Sequence, residues 1–149
     1  MKTVQELMTK LPENIRASIQ SYDGVQSDDL FQLFENMVYH ENIEAFKAAI
    51  DAGVDLNLQN KYGWTLLHIA IRRNQKAMVA YLLDKGADIN KKDGVGWTPL
   101  MEAIMDDMTE LCGYLIERGA DTKPANDRGA TAFMLVQKFG RQSMMKFFK

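Results

Sequence analysis

The sequence predicts an all-α solenoid of stacked helix-turn-helix units with projecting β-turn tips. The strongest indication is a stretch, Gly63–Asn90, that recurs thirty-three residues later as Gly96–Lys123. Both copies open with Gly-Trp-Thr, continue as an apolar helical run and close with Gly-Ala-Asp. Further copies of the closing unit at Gly53 and of the opening unit at Gly129 keep the same period. A fixed period of this length is typical of stacked supersecondary units.

The N-terminal segment, residues 1–26, lies outside the repeat and is predicted to form a helical cap. Its apolar residues keep the three-and-four spacing of a helix. Pro12 is expected to divide that helix in two, since proline clashes inside a helix. A solenoid needs a cover for the apolar side of its terminal repeat. The alternative is a separate arm that binds a partner as a peptide.

Four repeats with diverged ends are predicted to follow. Their approximate ranges are 27–59, 60–92, 93–125 and 126–149. The second repeat is the clearest, and we expect its helices over about Thr65–Arg73 and Gln75–Lys85. Gly86 should end the second of these helices in the left-handed conformation, which only glycine adopts without a side-chain penalty. Helices this short are marginal alone, so their stability must come from stacking.

The fourth repeat is predicted to start like the third and to stop early. Phe133 and Val136 take the interior positions of Leu100 and Ala103. A second helix is expected from Arg141 to the last residue, before any closing turn. Most of its large apolar side chains should lie against the third repeat, with one or two partly exposed: Met144, Met145, Phe147 and Phe148.

Charge alternates along the chain by block. Residues 1–59 carry a net −6, residues 60–92 a net +5, residues 93–125 a net −5 and residues 126–149 a net +4. Neighbouring repeats should therefore attract each other on average, although each exposed pair contributes little. We hypothesise that this alternation helps to hold the register of the stack. The alternative is a chance distribution of few charges.

The composition indicates one globular domain. The 149 residues are 46% apolar and 26% charged, with a net charge of −2 and a pI of about 5.7. This balance predicts no general affinity for nucleic acid. The N-terminus lacks the apolar run of a signal peptide, and no stretch approaches the roughly twenty residues of a membrane span. We therefore expect a cytoplasmic protein with neither a nucleic-acid nor a membrane partner.

The repeated units resemble the ankyrin repeat, whose signature includes Thr-Pro-Leu-His-x-Ala and a closing Gly-Ala-Asp-x-Asn. Pro99 keeps the proline of that signature and His68 keeps its histidine, whereas Leu66 and Met101 stand at the other two positions. The resemblance covers roughly residues 27–149. It implies pairs of antiparallel helices, each followed by a loop that projects towards the next repeat. It also implies a protein that binds other proteins.

The family's concave surface is made of the projecting tips and the first helices, and the resemblance assigns it by position. The residues that we call the candidate surface are Tyr39, His40, Lys61, Tyr62, Trp64, Arg72, Arg73, Val95, Trp97, Met105, Asp106, Arg128, Lys138 and Phe139. Trp64 and Trp97 stand on equivalent tips, and large aromatic side chains commonly anchor interfaces. The alternative is that each indole packs sideways on the next tip and serves only the stack.

No residue pattern indicates catalysis. His68 is expected to have the structural role usual for this histidine, bonding backbone across neighbouring turns, and His40 has no partner in the sequence that indicates a function. Cys112 is alone, so it cannot form an internal disulfide, and it matches the apolar Val79 of the preceding repeat. The chain has no phosphate-binding glycine loop, zinc-spaced Cys/His set or nucleophile elbow. We predict no enzyme activity, no metal and no cofactor.

The sequence therefore predicts a non-catalytic, monomeric interaction module that binds a protein partner on its concave face and tips. In a bacterium, a compact protein of this kind would suit a toxin-neutralising (immunity) or adaptor role by analogy. The alternative is a structural or assembly protein that self-associates through its apolar C-terminal helix.

Overall fold

The computed structural model describes residues 2–148, which form helices joined by turns. Among these residues there are nine α-helices and one 3₁₀ helix: α1 (Val4–Lys10), α2 (Glu13–Ile19), α3 (Leu30–Tyr39), α4 (Ile43–Asp51), α5 (Leu66–Arg72), α6 (Lys76–Asp84), α7 (Pro99–Met105), α8 (Thr109–Glu117), α9 (Ala132–Lys138) and the C-terminal 3₁₀ helix (Gln142–Phe148). β-Pairing in this part of the chain is limited to two isolated bridges. The predicted all-α class is confirmed. Met1 of the predicted cap and Lys149 of the predicted last helix lie outside the described residues.

The helices form two stacked layers. Helices α3, α5, α7 and α9 pack against one another in chain order, α4 packs on α6, and each first helix packs on the second helix that follows it. One apolar core runs through the stack and fully buries Phe34, Leu82 and Leu115. The observed helices Leu66–Arg72 and Lys76–Asp84 agree with their predicted ranges to within one residue at each end.

Capping residues and glycines set the ends of the helices. Thr65, Thr98 and Thr131 each begin a first helix, because the side chain accepts a hydrogen bond from the backbone N–H three residues on. This bond satisfies a donor that the helix leaves unpaired. The glycines that follow the second helices have positive φ, as predicted: Gly53 (106°), Gly86 (101°) and Gly119 (96°).

A left-handed residue joins the two helices of each pair, at the same thirty-three-residue period: Glu41 (55°), Asn74 (54°), Asp107 (57°) and Gly140 (64°). Three of these four residues carry a side chain, which makes the left-handed conformation costly. The fold tolerates this cost because the connection between the two helices is only a few residues long.

Neighbouring tips are bonded directly through their backbones. The N–H of Gly94 donates to the carbonyl of Tyr62 at 2.9 Å, and the N–H of Asp127 donates to the carbonyl of Val95 at 3.0 Å. A Cβ atom on Gly63 would lie only 2.4 Å from the backbone nitrogen of Gly94. Glycine is therefore required where these two tips meet, both for its positive φ of 80° and for the close approach.

The N-terminal helices pack on the first repeat. Helix α1 ends at Lys10 and α2 begins at Glu13, so Pro12 interrupts the helix as predicted. Asp28 joins α1 to the start of the repeats, because its Oδ1 accepts a hydrogen bond from the Val4 N–H at 2.9 Å. Helix α2 packs against α4.

The C-terminal segment differs from the prediction in the exposure of its apolar side chains and in the type of its last helix. Phe133, which the repeat pattern places inside, is 37% exposed, because no further helix pair follows to cover α9 among the described residues. The segment from Gln142 to Phe148 is a 3₁₀ helix rather than an α-helix, a form that is common in short pieces at helix ends. Met144 is buried, whereas Met145, Phe147 and Phe148 are all partly exposed, which is one more than the expected one or two.

Ion pairs in the described part of the chain connect segments predicted to be neighbouring repeats. Each pair joins a block of net positive charge to a block of net negative charge: Arg72–Glu102, Lys76–Glu110, Lys85–Asp51, Arg118–Asp84 and Arg141–Asp107. In four of these five pairs the cation lies in the positive block, as the alternation predicts, whereas Arg118 of a negative block pairs with Asp84 of a positive one. Each exposed pair adds little stability.

Candidate functional site

The exposed large apolar side chains lie on the tips and the first helices. Within residues 2–148 they are Tyr39 (61% exposed), Tyr62 (55%), Val95 (57%), Met105 (43%), Phe133 (37%) and Met134 (52%). None of them belongs to a second helix. The first four are members of the candidate surface, so most of the apolar area that the described chain leaves open coincides with the predicted surface.

Trp64 is the centre of a stack of rings and cations. The guanidinium of Arg72 lies 4.0 Å from the indole centroid, and the Tyr62 ring lies 5.2 Å away. Lys61 in turn places its Nζ 5.1 Å from the Tyr62 centroid. Arg72 also donates from Nη2 to Oε1 of Glu102 at 3.2 Å. The indole is therefore held by contacts within its own repeat, and Arg72 ties that repeat to the next.

A second stack lies around Tyr39, at the end of α3. The guanidinium of Arg73 lies 4.4 Å from the Tyr39 ring centroid, and His40 meets the same ring edge-on at 5.4 Å. On its other side, His40 stacks on Tyr22 with the centroids 4.6 Å apart. This stack joins the first repeat to the segment that precedes it.

A cavity of about 400 Å³ lies where the two stacks meet. Five members of the candidate surface line it: Tyr39, His40, Trp64, Arg72 and Arg73. The other residues that line the cavity, which were not predicted from the sequence, are Asp23, Glu35, Asn36 and Ile69. Glu35 was detectable, because it precedes Tyr39 by four residues and so shares its helix face. Asp23 was not, because it lies outside the repeat period.

A second groove adjoins this cavity and shares two of its residues. Lys61 and Tyr62 line the groove together with Trp64 and Glu35, and acidic residues such as Asp29 lie on its far side. Burial, followed by the nearby charge of Asp29, raises the pKa of Glu35. Both cavities therefore place carboxylates opposite the stacked cations.

The remaining candidate residues lie apart from this cluster. Trp97 is partly buried, and within residues 2–148 it makes none of the ring or cation contacts that surround Trp64. Met105 stands at the position equivalent to Arg72, so the cation is missing from the second tip. Of the other candidate residues, Val95, Arg128 and Lys138 are exposed, whereas Asp106 and Phe139 are partly buried.

Two carboxyl groups of α7 form an unusual pair beneath this surface. Glu102 is buried, and its pKa is raised to about 8, first by burial and then by a hydrogen bond to Asp106. Arg72 opposes this rise. In the described residues, Oδ2 of Asp106 is buried with no hydrogen-bond partner. Two close carboxylates do not both ionise readily, so Asp106 favours the neutral form of Glu102.

His68 is a structural residue. Its fully buried ring accepts a hydrogen bond at Nδ1 from the Thr65 N–H at 3.2 Å, so Nε2 carries the proton and donates to the Trp97 carbonyl at 2.9 Å. Burial lowers the pKa of the imidazole. Among residues 2–148, no set of His, Cys, Asp and Glu side chains is grouped to hold a metal ion, and no helix is both long and apolar enough to cross a membrane.

The family model for ankyrin repeats, in three copies, matches residues 33–126, which is more than half of the chain. The chain therefore belongs to the ankyrin-repeat family, whose members are generally protein–protein interaction modules and typically non-catalytic. No curated protein matches the chain in sequence.

Proposed function

We propose that the chain binds a protein partner through the tips and first helices, with Tyr39, Tyr62 and Trp64 as the central contacts. One observation carries this proposal: all the exposed large apolar side chains in residues 2–148 lie on those elements. Aromatic residues and arginine are enriched at interfaces, and the two stacks present both beside one cavity.

The contacts within the stacks favour binding by reducing its entropic cost. An interface loses free energy when it must order mobile side chains. Here Arg72 lies against Trp64 and Arg73 against Tyr39, so the rings and guanidinium groups are positioned before a partner arrives. A toxin-neutralising protein and an adaptor would both use such a surface, and the identity of the partner distinguishes them. A monomeric state and a cytoplasmic location are part of this proposal.

The test is affinity purification from the native cell with mass spectrometry, comparing wild type with Tyr39→Ala and Trp64→Ala. Loss of an anchor typically costs 2 kcal/mol or more, about thirtyfold in affinity. Tyr114→Ala is the control, because Tyr114 is an aromatic residue on the second helix α8 with an arginine beside its ring. Partners retained by the control and lost by both variants, with unchanged circular dichroism, support the proposal. Partners retained by all three proteins contradict it.

Self-association through the C-terminal end is the second candidate. It is favoured by the exposure of Phe133 and Met134 on α9, next to Phe148, whose ring centroid is 5.8 Å from that of Phe133. Sedimentation of the isolated protein tests it. A dimer that forms with rising concentration and is lost in Met134→Glu supports assembly, whereas a monomer at all concentrations contradicts it.

A further inference from the structure

We propose that the partner presents an acidic segment: a carboxylate that binds the guanidinium of Arg73, next to an apolar side chain that enters the cavity between Tyr39 and Trp64. This inference rests on the proposed function and adds the chemistry of the partner. It is carried by the geometry of Arg73, by the charges around the cavity and by the character of its floor.

Arg73 is held in place with its hydrogen-bond donors free. Its guanidinium lies over the Tyr39 ring at 4.4 Å, and the five N–H donors of a guanidinium lie in its plane and point outward. Within residues 2–148 the guanidinium forms no ion pair and no hydrogen bond, and Arg73 is exposed. A planar, positioned guanidinium is well suited to a bidentate carboxylate.

Arg72 differs, because its guanidinium already donates a hydrogen bond within the same chain. It pairs with Glu102 at 3.2 Å, and its charge also acts on Glu35, whose pKa it lowers against the effect of burial. Of the two arginines that line the cavity, Arg73 is therefore the one whose guanidinium is left for a partner.

The acidic residues of the cavity restrict where the carboxylate can bind. Asp23 and Glu35 line the same cavity, so a ligand carboxylate is repelled from their side and attracted to Arg73. The acidic group must therefore bind at the Arg73 edge. This arrangement predicts that removing the charge of Asp23 strengthens binding, which a surface without preference for acidic ligands would not do.

The floor of the cavity accepts an apolar side chain. Ile69 is 6% exposed and belongs to the apolar core, and Trp64 forms an adjoining wall. A volume of about 400 Å³ lies within the range of small-ligand pockets. An apolar side chain beside an acidic one fills this space while its neighbour reaches Arg73.

The experiment is selection of random dodecapeptides displayed on phage, with sequencing of the recovered peptides. The proteins are wild type, Trp64→Ala, Arg73→Gln, Arg73→Lys, Asp23→Asn and the control Lys47→Gln. Lys47 is also a cation stacked on a tyrosine, with its Nζ 5.2 Å from the Tyr81 ring, but it lies on the second helix α4. Wild type and the control should enrich peptides with Asp or Glu beside a large apolar residue.

A synthetic peptide from that pool then gives affinities. We expect Arg73→Gln to weaken peptide binding about tenfold or more, since charged hydrogen bonds are lost. Arg73→Lys should keep only part of the wild-type affinity. Asp23→Asn should bind the peptide more tightly than wild type. The selected peptides could lack acidic residues and still need Trp64 for binding. That result overturns this inference and leaves the proposed function standing. Peptides that bind wild type and Trp64→Ala equally, or no enrichment at all, contradict both.

Single-stranded nucleic acid is the other ligand that stacked rings and cations accept. The net charge of −2 and the two carboxylates in the cavity disfavour it. Fluorescence anisotropy with a labelled oligo-dT checks this. Trp64-dependent binding that is tighter than that of the selected peptide overturns the acidic-segment inference.

Discussion

The imidazole of His68 lies 2.9 Å from the backbone carbonyl of Trp97 and so connects the start of one helix pair to the tip before the next. The imidazole is fully buried and the bond itself is partly buried, which makes both groups costly to leave unpaired. In the following repeat the equivalent residue is Met101, and a thioether cannot donate a hydrogen bond. The described chain therefore has this connection at its centre and lacks it one repeat later.

Replacing His68 with methionine should cost about 1–3 kcal/mol of unfolding free energy near pH 8, because the Thr65 N–H and the Trp97 carbonyl lose their partner. The loss should depend on pH. Burial lowers the pKa of His68 in the folded state, so below its ordinary pKa of about 6.5 the unfolded state binds more protons and the wild type loses stability.

Urea unfolding of both proteins at pH 8 and pH 5.5 checks this prediction. The difference between them should be larger at pH 8 and shrink at pH 5.5. A difference that is the same at both values would show that the imidazole is not held neutral in the folded protein.

Glu102→Gln should change the pH dependence in the opposite direction. The raised pKa of Glu102, about 8 in the folded state, means that the folded protein binds more protons than the unfolded one between about pH 4.5 and 8. Wild type should therefore lose stability relative to the variant as the pH rises through this window, by about 1–3 kcal/mol. Because a pKa of about 8 keeps Glu102 largely neutral in the folded state below that pH, its contact with Arg72 there is a hydrogen bond, which the amide oxygen of glutamine can also accept.

Unfolding free energies of wild type and Glu102→Gln at several pH values give the slope directly. Glu110→Gln serves as a control, since Glu110 is an exposed acid on the next helix, α8, that is also paired with a lysine. Parallel curves for wild type and Glu102→Gln would mean that Glu102 is ionised throughout the range.

Gly63→Ala should destabilise the protein more than Gly86→Ala, although both glycines have positive φ. A Cβ at Gly86 meets nothing within 4 Å, whereas a Cβ at Gly63 would lie 2.4 Å from the nitrogen of Gly94. Gly86→Ala should cost about 1 kcal/mol through its backbone conformation alone. Gly63→Ala must also separate two tips that share a hydrogen bond.

Thermal unfolding of the two variants measures the loss of stability that each substitution causes. Equal losses of stability would show that the contact between the tips contributes nothing and that the glycines serve only their own turns.

The repeat period accounts for what could be predicted from the sequence and for what could not. It located the helices of the second repeat to within one residue and the left-handed Gly86, because each unit repeats the same local contacts. It failed for Phe133, although Val136 of the same helix is fully buried, because within the described residues only the side of α9 that faces the third repeat is covered.

The candidate surface likewise combines features that the repeat period predicted with features that it could not predict. Position in the repeat selected Trp64 and Trp97 as equals, yet their surroundings differ, since Arg72 stacks on Trp64 while Met105 stands at its equivalent position. Residues from outside the repeats also line the cavity. Asp23 approaches it from the segment before the repeats, and only the packing of that segment could reveal this.

Glu41→Gly should stabilise the protein by about 0.5–1 kcal/mol. Glu41 has a φ of 55°, a region where a residue with a side chain is strained and glycine is not. The variant gives up one exposed hydrogen bond from the Gln75 side chain, which contributes little in water. The matched control is Glu44→Gly, which removes the same side chain from the first turn of α4 and should cost about 0.5–1 kcal/mol, because glycine is unfavourable in a helix and an acidic charge beside the helix N-terminus is lost. Urea unfolding of both variants should therefore show changes of opposite sign. A loss of stability in both would mean that the Glu41 contact with Gln75 outweighs the backbone strain at this turn.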